Sequence, residues 1–311
     1  MRNIIKTKVT YSFILFISLS AVACGGGSSS DDNSEVSLDS STPATSRLGV
    51  PIRECDNPDP SWIFCDDFET DAPLVMEGRY FEAFGNPPVE SGVGLDGSRA
   101  LAGNFRQGEA QAGDVKLGFG RAADSYMDQG IQSDRNFREI YYRHLIRFEE
   151  GWTGPAFKLS RATILAKADW SQAMIAHLWN NGDDDLLLMD PVNCVSGTEV
   201  RCSGYNDFSN FDWLGINRGF SPIHHSSFSN QWLCIEARVR LNDPEQSNGI
   251  QQFWVDGVLE ASGTNYDFVG DYTEFGINTI FFENFWNGGA TRDQSRYFDN
   301  IVVSTKRIGC G

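Results

Sequence analysis

The chain has 311 residues and a formal net charge of −17, with 42 acidic against 25 basic residues. Hydrophobic residues make up 41% of the chain and aromatic residues 13%, a composition that excludes a wholly disordered or fibrous protein. The acidic balance argues against binding of nucleic acid, which usually requires a basic patch. No apolar run reaches the length of a membrane-spanning helix, which excludes a multipass membrane protein.

The N-terminal segment, residues 1–23, has the features of an export signal. Three basic residues precede an apolar stretch that ends in Ala21-Val22-Ala23, and Cys24 and three glycines follow. Small residues before a cysteine resemble a bacterial lipoprotein signal, in which the cysteine is lipidated and becomes the new N-terminus. The resemblance implies an outer-membrane lipoprotein of the bacterial cell envelope, held to the membrane by the lipid on Cys24 only. An ordinary signal peptide with an incidental cysteine is the alternative.

Two regions follow the signal, and they differ in composition. Residues 24–50 are rich in Gly, Ser, Asp and Thr and have almost nothing to bury, so a disordered tether is predicted there. Residues 51–311 contain many short runs of alternating apolar residues, separated by Gly, Asn, Asp and Pro. This pattern is typical of a β-sandwich or barrel. Because neither a repeat nor an internal boundary is evident, we expect one monomeric domain.

Alternation predicts which side chains share a face of a strand. In residues 173–180, one face carries apolar residues, and the other carries Ile175, His177 and Trp179. The same rule predicts outward-facing residues on three further strands: Tyr141, Arg143, Glu236, Arg238 and Trp254. Outward Trp, Tyr and Arg side chains on sheet faces indicate a binding groove.

The cysteines beyond Cys24 number six, and an even number in an exported chain indicates disulfides with 15 conceivable connectivities. Close spacing favours two pairs and leaves a third: Cys55–Cys65, Cys194–Cys202 and Cys234–Cys310. A zinc site is the alternative, and it is disfavoured because no pair has C-x-x-C spacing.

Five runs of the domain follow one another in a characteristic order: Phe64-Cys65-Asp66-Asp67-Phe68-Glu69, Trp232-Leu233-Cys234-Ile235-Glu236, Phe253-Trp254-Val255-Asp256-Gly257, Phe281-Phe282-Glu283-Asn284-Phe285-Trp286-Asn287-Gly288-Gly289 and Tyr297-Phe298-Asp299-Asn300-Ile301-Val302-Val303-Ser304. This ordered set resembles the concanavalin A-like jelly-roll polysaccharide lyases, which include alginate and glucuronan lyases. The resemblance implies an all-β fold, a concanavalin A-like β-sandwich jelly roll. It also implies a polysaccharide partner that contains uronate and is cleaved by β-elimination, with no required cofactor. Jelly rolls of this class often hold one structural calcium between the first and last strands, for which Glu69 and Asp299 are the candidate donors.

A uronate lyase has to neutralise the substrate carboxylate, remove the adjacent proton and protonate the leaving oxygen. By the resemblance, Lys158 occupies the position of the family lysine, and His177 lies on or beside that of the family arginine. Arg143 and Tyr141 supply two further suitable groups, so these four residues are the candidate catalytic set. The candidate substrate-binding residues are Trp179, Glu236, Arg238 and Trp254.

Two other functions remain open at this stage. The tyrosine pair of the family would fall within residues 186–189, where no tyrosine occurs. A glycan-binding module that kept the scaffold without the catalysis is therefore one alternative, and a structural surface protein without a sugar site is the other. A serine hydrolase is disfavoured because the chain has no G-x-S-x-G motif.

Overall fold

The computed structural model of the protein describes residues 48–154, 158–182 and 184–311. The predicted export signal, Cys24 and residues 24–47 of the predicted tether lie outside the described residues, so export and lipidation stay predictions. Within the described ranges, no helix is long and apolar enough to span a membrane.

The described part of the chain is built almost entirely of β-strands. In chain order they are β1 (Trp62–Asp66), β2 (Tyr80–Phe84), β3 (Val89–Ser91), β4 (Arg99–Phe105), β5 (Asp114–Gly118), β6 (Glu139–Phe148), β7 (Lys158–Leu165), β8 (Gln172–Trp179), β9 (Leu188–Asn193), β10 (Val195–Ser196), β11 (Glu199–Val200), β12 (Asp212–Trp213), β13 (Asn217–Arg218), β14 (Trp232–Arg240), β15 (Gly249–Val255), β16 (Val258–Tyr266), β17 (Thr279–Phe285) and β18 (Gln294–Ser304). Three short 3₁₀ turns accompany them, at Glu54–Asp56, Leu95–Gly97 and Ser226–Phe228.

The strands form two antiparallel sheets of eight strands each and a two-stranded ribbon. Sheet I has the order β16-β15-β14-β6-β18-β4-β3, and β1 pairs with β18. Sheet II has the order β12-β9-β8-β7-β17-β5-β2, and β13 pairs with β9. Strands β10 and β11 form the ribbon. The all-β sandwich predicted from the sequence is therefore confirmed.

The hydrophobic core lies between the two sheets, as the alternation predicts. On β8, Ala176 and Leu178 are fully buried in it, and on β6 so are Tyr142 and Ile146. The ring of Tyr142 in sheet I meets that of Phe282 in sheet II edge-on, with 6.3 Å between centroids. Since side chains alternate along a strand, the neighbouring residues of β6 and β8 point out of the sandwich.

Terminal segments cover part of the outward face of sheet I. Val50 is only 2% exposed and packs in a small cluster with Leu145 and Cys234, against which Leu48 and Cys310 also pack. Leu48 and Val50, the described residues at the end of the predicted tether, thus pack against sheet I. Both side chains are apolar, and leaving them exposed to water would cost free energy.

The disulfide prediction is confirmed for all three pairs. Cys55–Cys65 and Cys194–Cys202 each close a short segment, and Cys234–Cys310 ties β14 to the C-terminus. The long link spans 76 residues, so it removes more chain entropy from the unfolded state than the short ones.

A buried histidine of β6, His144, predicts an acid-dependent loss of stability. Its ring meets Phe282 and Phe298 edge-on, and neither of its nitrogens has a hydrogen-bond partner among the described residues. Burial lowers the pKa of His144 to about 3, with Arg296 and Arg143 acting in the same direction. Below about pH 6.5 His144 is therefore protonated in the unfolded chain but not in the folded chain, which lowers the free energy of unfolding.

When the pH falls from about 7 to about 5, we expect the wild type to lose about 2 kcal/mol of unfolding free energy relative to His144→Leu. Urea denaturation at the two pH values measures it. Parallel stability curves for the two proteins would contradict the assignment of His144 as a neutral buried residue.

Candidate functional site

A row of charged and aromatic side chains crosses the outward face of sheet II. Its members are cross-strand partners from β9 through β8, β7, β17 and β5 to β2: Asp190, His177, Arg161, Phe281, Lys116 and Glu82. Each points outward because its strand neighbours pack in the core, as Ala162 does beside Arg161. The row thus brings together residues that lie up to two hundred positions apart in the sequence.

A cavity of about 390 Å³ opens at one end of this row. Its walls come from β7, β8, β9, the end of β17 and the segment between Cys202 and β13. They are formed by Lys158, His177, Trp179, Asp190, Asn206, Phe208, Trp213, Phe285 and Asn287. Aromatic walls with a few polar groups are typical of small-ligand sites, which start at about 300 Å³.

A fully buried ion pair, Arg161–Glu283, lies beside the cavity. Arg161 Nε donates to Glu283 Oε2 at 3.0 Å, and Nη2 contacts the other carboxylate oxygen. Burial is the largest single effect and opposes ionisation of both groups, but the partner's charge and hydrogen bonds, together with other nearby charges, outweigh it: the pKa of Arg161 is raised and that of Glu283 is lowered. Both side chains are therefore charged across the neutral pH range.

His177 is held between a carboxylate and a guanidinium. Its Nδ1 lies 3.2 Å from Asp190 Oδ1, and its Nε2 lies 3.5 Å from Arg161 Nη1. Because a guanidinium only donates, Nε2 faces it as an acceptor and the ring proton is assigned to Nδ1, toward Asp190. Burial lowers the pKa of His177 despite Asp190, so the ring is neutral at pH 7.

Arg161 also holds two residues of the segment between Cys202 and β12, called the covering segment below. Its Nη2 donates to Tyr205 Oη, and its Nη1 donates to Asn206 Oδ1 at 2.8 Å. The backbone of the same segment is fixed to sheet II, where Gly204 N–H donates to Ser171 Oγ at 2.9 Å and Asn206 N–H donates to Gln172 Oε1 at 3.0 Å. Burial raises the pKa of Tyr205, although Arg161 opposes the shift, so its phenol keeps its proton at neutral pH.

Lys158 begins β7 at the wall of the cavity. Its Nζ lies 4.9 Å from the centroid of the Phe285 ring, and it forms no ion pair within the described ranges. Burial lowers the pKa of Lys158, and Glu283 only partly offsets this. An amine with a lowered pKa is neutral in a larger fraction of molecules, which suits it to proton transfer.

The structure brings three of the sequence-predicted residues together: Lys158, His177 and Trp179 all line this cavity. Ser171, which precedes β8, is fully buried and accepts the Gly204 N–H. Its role here is to hold the covering segment.

The other two predicted catalytic residues lie elsewhere, and the expectation of one shared groove is corrected for them. Arg143 and Tyr141 belong to β6 of sheet I and face away from the core. Arg143 pairs with Glu54 of the N-terminal segment and donates to the Asn300 carbonyl. The Tyr141 ring lies under Arg238, 5.6 Å from its guanidinium carbon.

The predicted substrate-binding residues of β14 and β15 also lie on the outward face of sheet I. Glu236 is buried and accepts the N–H groups of Ile308 and Gly309, so it fixes the C-terminal segment. Arg238 pairs with a neighbouring glutamate, Glu139. Trp254 is covered by the Arg307 side chain at 4.5 Å. These side chains are engaged with the protein itself and do not reach the cavity on sheet II.

The predicted calcium donors, Glu69 and Asp299, both accept hydrogen bonds from the protein backbone, and the calcium stays a prediction. Both oxygens of Asp299 already accept backbone N–H groups, from Leu95 and Asn300 at 2.8 Å each. Glu69 Oε1 accepts the Arg99 N–H at 2.7 Å. Calcium requires six to eight oxygens, and the described residues contain no group of three or more acidic, His or Cys side chains placed to hold a metal.

Sequence reasoning missed several residues of the site. They are Arg161, Asp190, Tyr205, Asn206, Phe208, Trp213, Glu283, Phe285 and Asn287. Arg161 leaves only a weak signal in the sequence, because Ala162 after it is apolar but Ser160 before it is polar. The residues of the covering segment leave no such signal, since that segment has no regular period.

Comparison with known proteins agrees with this fold. Residues 216–301 match the family model described as polysaccharide lyase 14. The matched region runs from just before β13 into β18 and includes Glu283, Phe285 and Asn287 of the site. The other cavity residues, from Lys158 to Trp213, precede it. No curated protein matches the chain in sequence.

Several solved structures share the fold over most of the chain. The endo-β-1,4-glucuronan lyase of the fungus Trichoderma reesei is 13% identical, with a TM-score of 0.52 over 79% of this chain and 96% of that chain. The PL-14 alginate lyase of Aplysia kurodai has the same identity and TM-score over 79% and 99%. The alginate lyase vAL-1 of Chlorella virus is 12% identical, with a TM-score of 0.50 over 75% and 96%. At these identities the likeness shows the fold alone, so the predicted jelly-roll fold is confirmed.

Proposed function

We propose that the protein cleaves a uronate-containing polysaccharide by β-elimination in the cavity on sheet II. The observation that carries the proposal is Lys158, an amine of lowered pKa at the wall of an aromatic cavity. The match of the C-terminal region to a polysaccharide lyase model supports this assignment.

The amide groups at the cavity are placed to donate hydrogen bonds to the substrate carboxylate. Asn206 Oδ1 accepts from Arg161, so its amide NH₂ is the end left to donate to a ligand. Asn287 lines the same cavity from the end of β17. Hydrogen bonds to the carboxylate stabilise the negative charge that develops on it once the adjacent proton leaves.

Proton transfer is assigned to Lys158 and Tyr205. The neutral amine of Lys158 takes the proton from the carbon beside the carboxylate. The electron pair of that C–H bond forms the new carbon–carbon double bond, and the glycosidic C–O bond breaks. The Tyr205 phenol then gives its proton to the leaving oxygen, and Arg161 stabilises the phenolate that remains. The step consumes no water and needs no oxidant.

The test is ultraviolet absorbance, because the product carries an unsaturated uronide. The purified protein is incubated with alginate, glucuronan, pectate, glycosaminoglycans and a neutral glucan, and we expect a rise with at least one acidic polysaccharide. The neutral glucan belongs in the panel because the net charge of −17 opposes a polyanion. Tyr205→Phe should lose the rise, whereas Tyr126→Phe, an exposed tyrosine that bonds to Glu82 at the other end of the row, should keep it. Silence with every acidic substrate would overturn the proposal.

A glycan-binding module without catalysis is the second candidate. Asp190 favours it, because its carboxylate lines the cavity directly after residues 186–189, where the family tyrosine pair would fall and no tyrosine occurs. A carboxylate beside the substrate repels a uronate. Retarded migration in polysaccharide-containing gels, together with no absorbance change, would assign this function instead.

We also propose that the protein is a lipid-anchored lipoprotein of the bacterial cell envelope. The pattern of residues 1–24 supports this, and several acyl chains on one cysteine suffice for stable anchoring. Cys24→Ser should release the protein from the membrane fraction. A variant that stays membrane-bound would contradict the proposal.

A further inference from the structure

The segment from Asp207 to Trp213 carries three aromatic residues in two different environments. Phe211 is buried in a cluster with Ile175, Val192 and the two half-cystines of Cys194–Cys202. Phe208 and Trp213 flank it edge-on, with ring centroids 5.5 and 6.2 Å from that of Phe211. They are 54% and 50% exposed, and both line the cavity. A buried ring thus supports two rings that keep free surface at the cavity mouth.

The backbone of this segment is held firmly on both sides of Phe211. Trp213 belongs to β12, which pairs with β9 through Asn193 and Val192. Asp207 accepts the Ser203 N–H at 3.0 Å and the Asn210 side-chain amide at 2.8 Å, which closes the turn before Phe208. Rings on a fixed backbone lose little conformational entropy when a ligand binds, which favours affinity.

We propose that Phe208 and Trp213 form a platform on which a hexopyranose ring of the polysaccharide stacks. This inference rests on the proposed carbohydrate function of the cavity and adds a subsite to it. The two residues precede the region that matches the family model, which begins at residue 216.

The chemistry of the cavity selects a pyranose over other occupants. A pyranose ring offers an apolar face of C–H groups and a rim of hydroxyls. The aromatic rings match the face, and the amides of Asn206 and Asn287 with the Lys158 amine match the rim. An acyl chain would leave these polar groups without partners, which costs free energy.

The test compares Phe208→Ala and Trp213→Ala with a matched control, Phe220→Ala. Phe220 is more exposed than either ring, at 61%, and does not line the cavity. The dissociation constant for each polysaccharide of the panel comes from affinity electrophoresis of the full chain, and thermal unfolding checks the fold. We expect each platform substitution to weaken binding by about 2- to 10-fold and the control to leave it unchanged. Trp213→Phe should recover most of the affinity.

The outcomes separate this inference from the proposed lyase activity. Binding that depends on the two rings without any cleavage supports the platform and overturns the lyase. Cleavage with an unchanged KM and unchanged affinity in both alanine variants overturns the platform alone. Wild-type binding to none of the polysaccharides overturns it as well. Self-association that both substitutions abolish, with glycan affinity unchanged, would assign the rings to a contact between two copies and overturn it.

Discussion

Replacing Lys158 with alanine is expected to lower kcat/KM for polysaccharide cleavage by about 10²–10⁴-fold, the range found when a positioned acid or base is removed. The reason is the position of Lys158 together with its lowered pKa. Lys158 lies at the cavity wall without an ion pair among the described residues, and burial lowers its pKa. If Lys158 is the base, kcat/KM rises with pH up to a pKa below that of an ordinary lysine, about 10.4. Initial rates from the unsaturated product, followed across pH, measure both effects.

Two variants make this prediction specific. Lys158→Arg keeps the positive charge but cannot give up a proton near neutral pH, so it should bind polysaccharide and fail to cleave it. Lys167→Ala removes an exposed lysine from the turn after β7 and should cleave like the wild type. Full activity in Lys158→Arg would show that the residue acts by its charge alone.

Arg161→Met is expected to destabilise the protein by about 3–5 kcal/mol, because it leaves the buried carboxylate of Glu283 without its partner. Both side chains are almost completely shielded from solvent, 0% and 3% exposed. Replacing both residues at once, Arg161→Met with Glu283→Leu, should cost clearly less, since neither member of the pair is then left without its partner. Urea denaturation of the two single variants and the double variant measures the coupling.

The contribution of Glu283 to the pH dependence of stability should have the opposite sign in Arg161→Met to that in the wild type. In the wild type, the lowered pKa of Glu283 adds stability that is present above the unfolded carboxyl pKa and is lost as pH falls through the folded one. In Arg161→Met the pKa of Glu283 rises, so the destabilisation caused by the substitution should become smaller in acid.

A second ion pair serves as the control. Arg238→Met, which breaks the partly exposed pair with Glu139 on sheet I, should cost at most about 1 kcal/mol. An equal cost for both arginines would contradict the special role of burial.

The site shows which of its features the alternation of apolar residues along a strand predicts and which it does not. Alternation in β8 correctly separates Met174, Ala176 and Leu178, which pack in the core, from His177 and Trp179, which face the cavity. The same rule correctly turns Arg143 and Glu236 outward. It says nothing about which sheet a strand joins, and these two residues proved to face away from the cavity, on the other layer.

The sequence by itself determined the fold class, the strand faces and the disulfide pairs. These depend on local patterns: a period of two residues, close cysteine spacing and an ordered set of strand motifs. Only the tertiary structure decided the membership of the site. Asp190, His177, Arg161 and Phe281 become neighbours through the strand order of sheet II, which arises from pairings between distant parts of the chain. Tyr205 and Asn206 reach the site on an irregular segment whose path follows from the Cys194–Cys202 link and the hydrogen bonds of Arg161. Such long-range contacts leave no period in the sequence, because each is set by the packing of the whole sandwich.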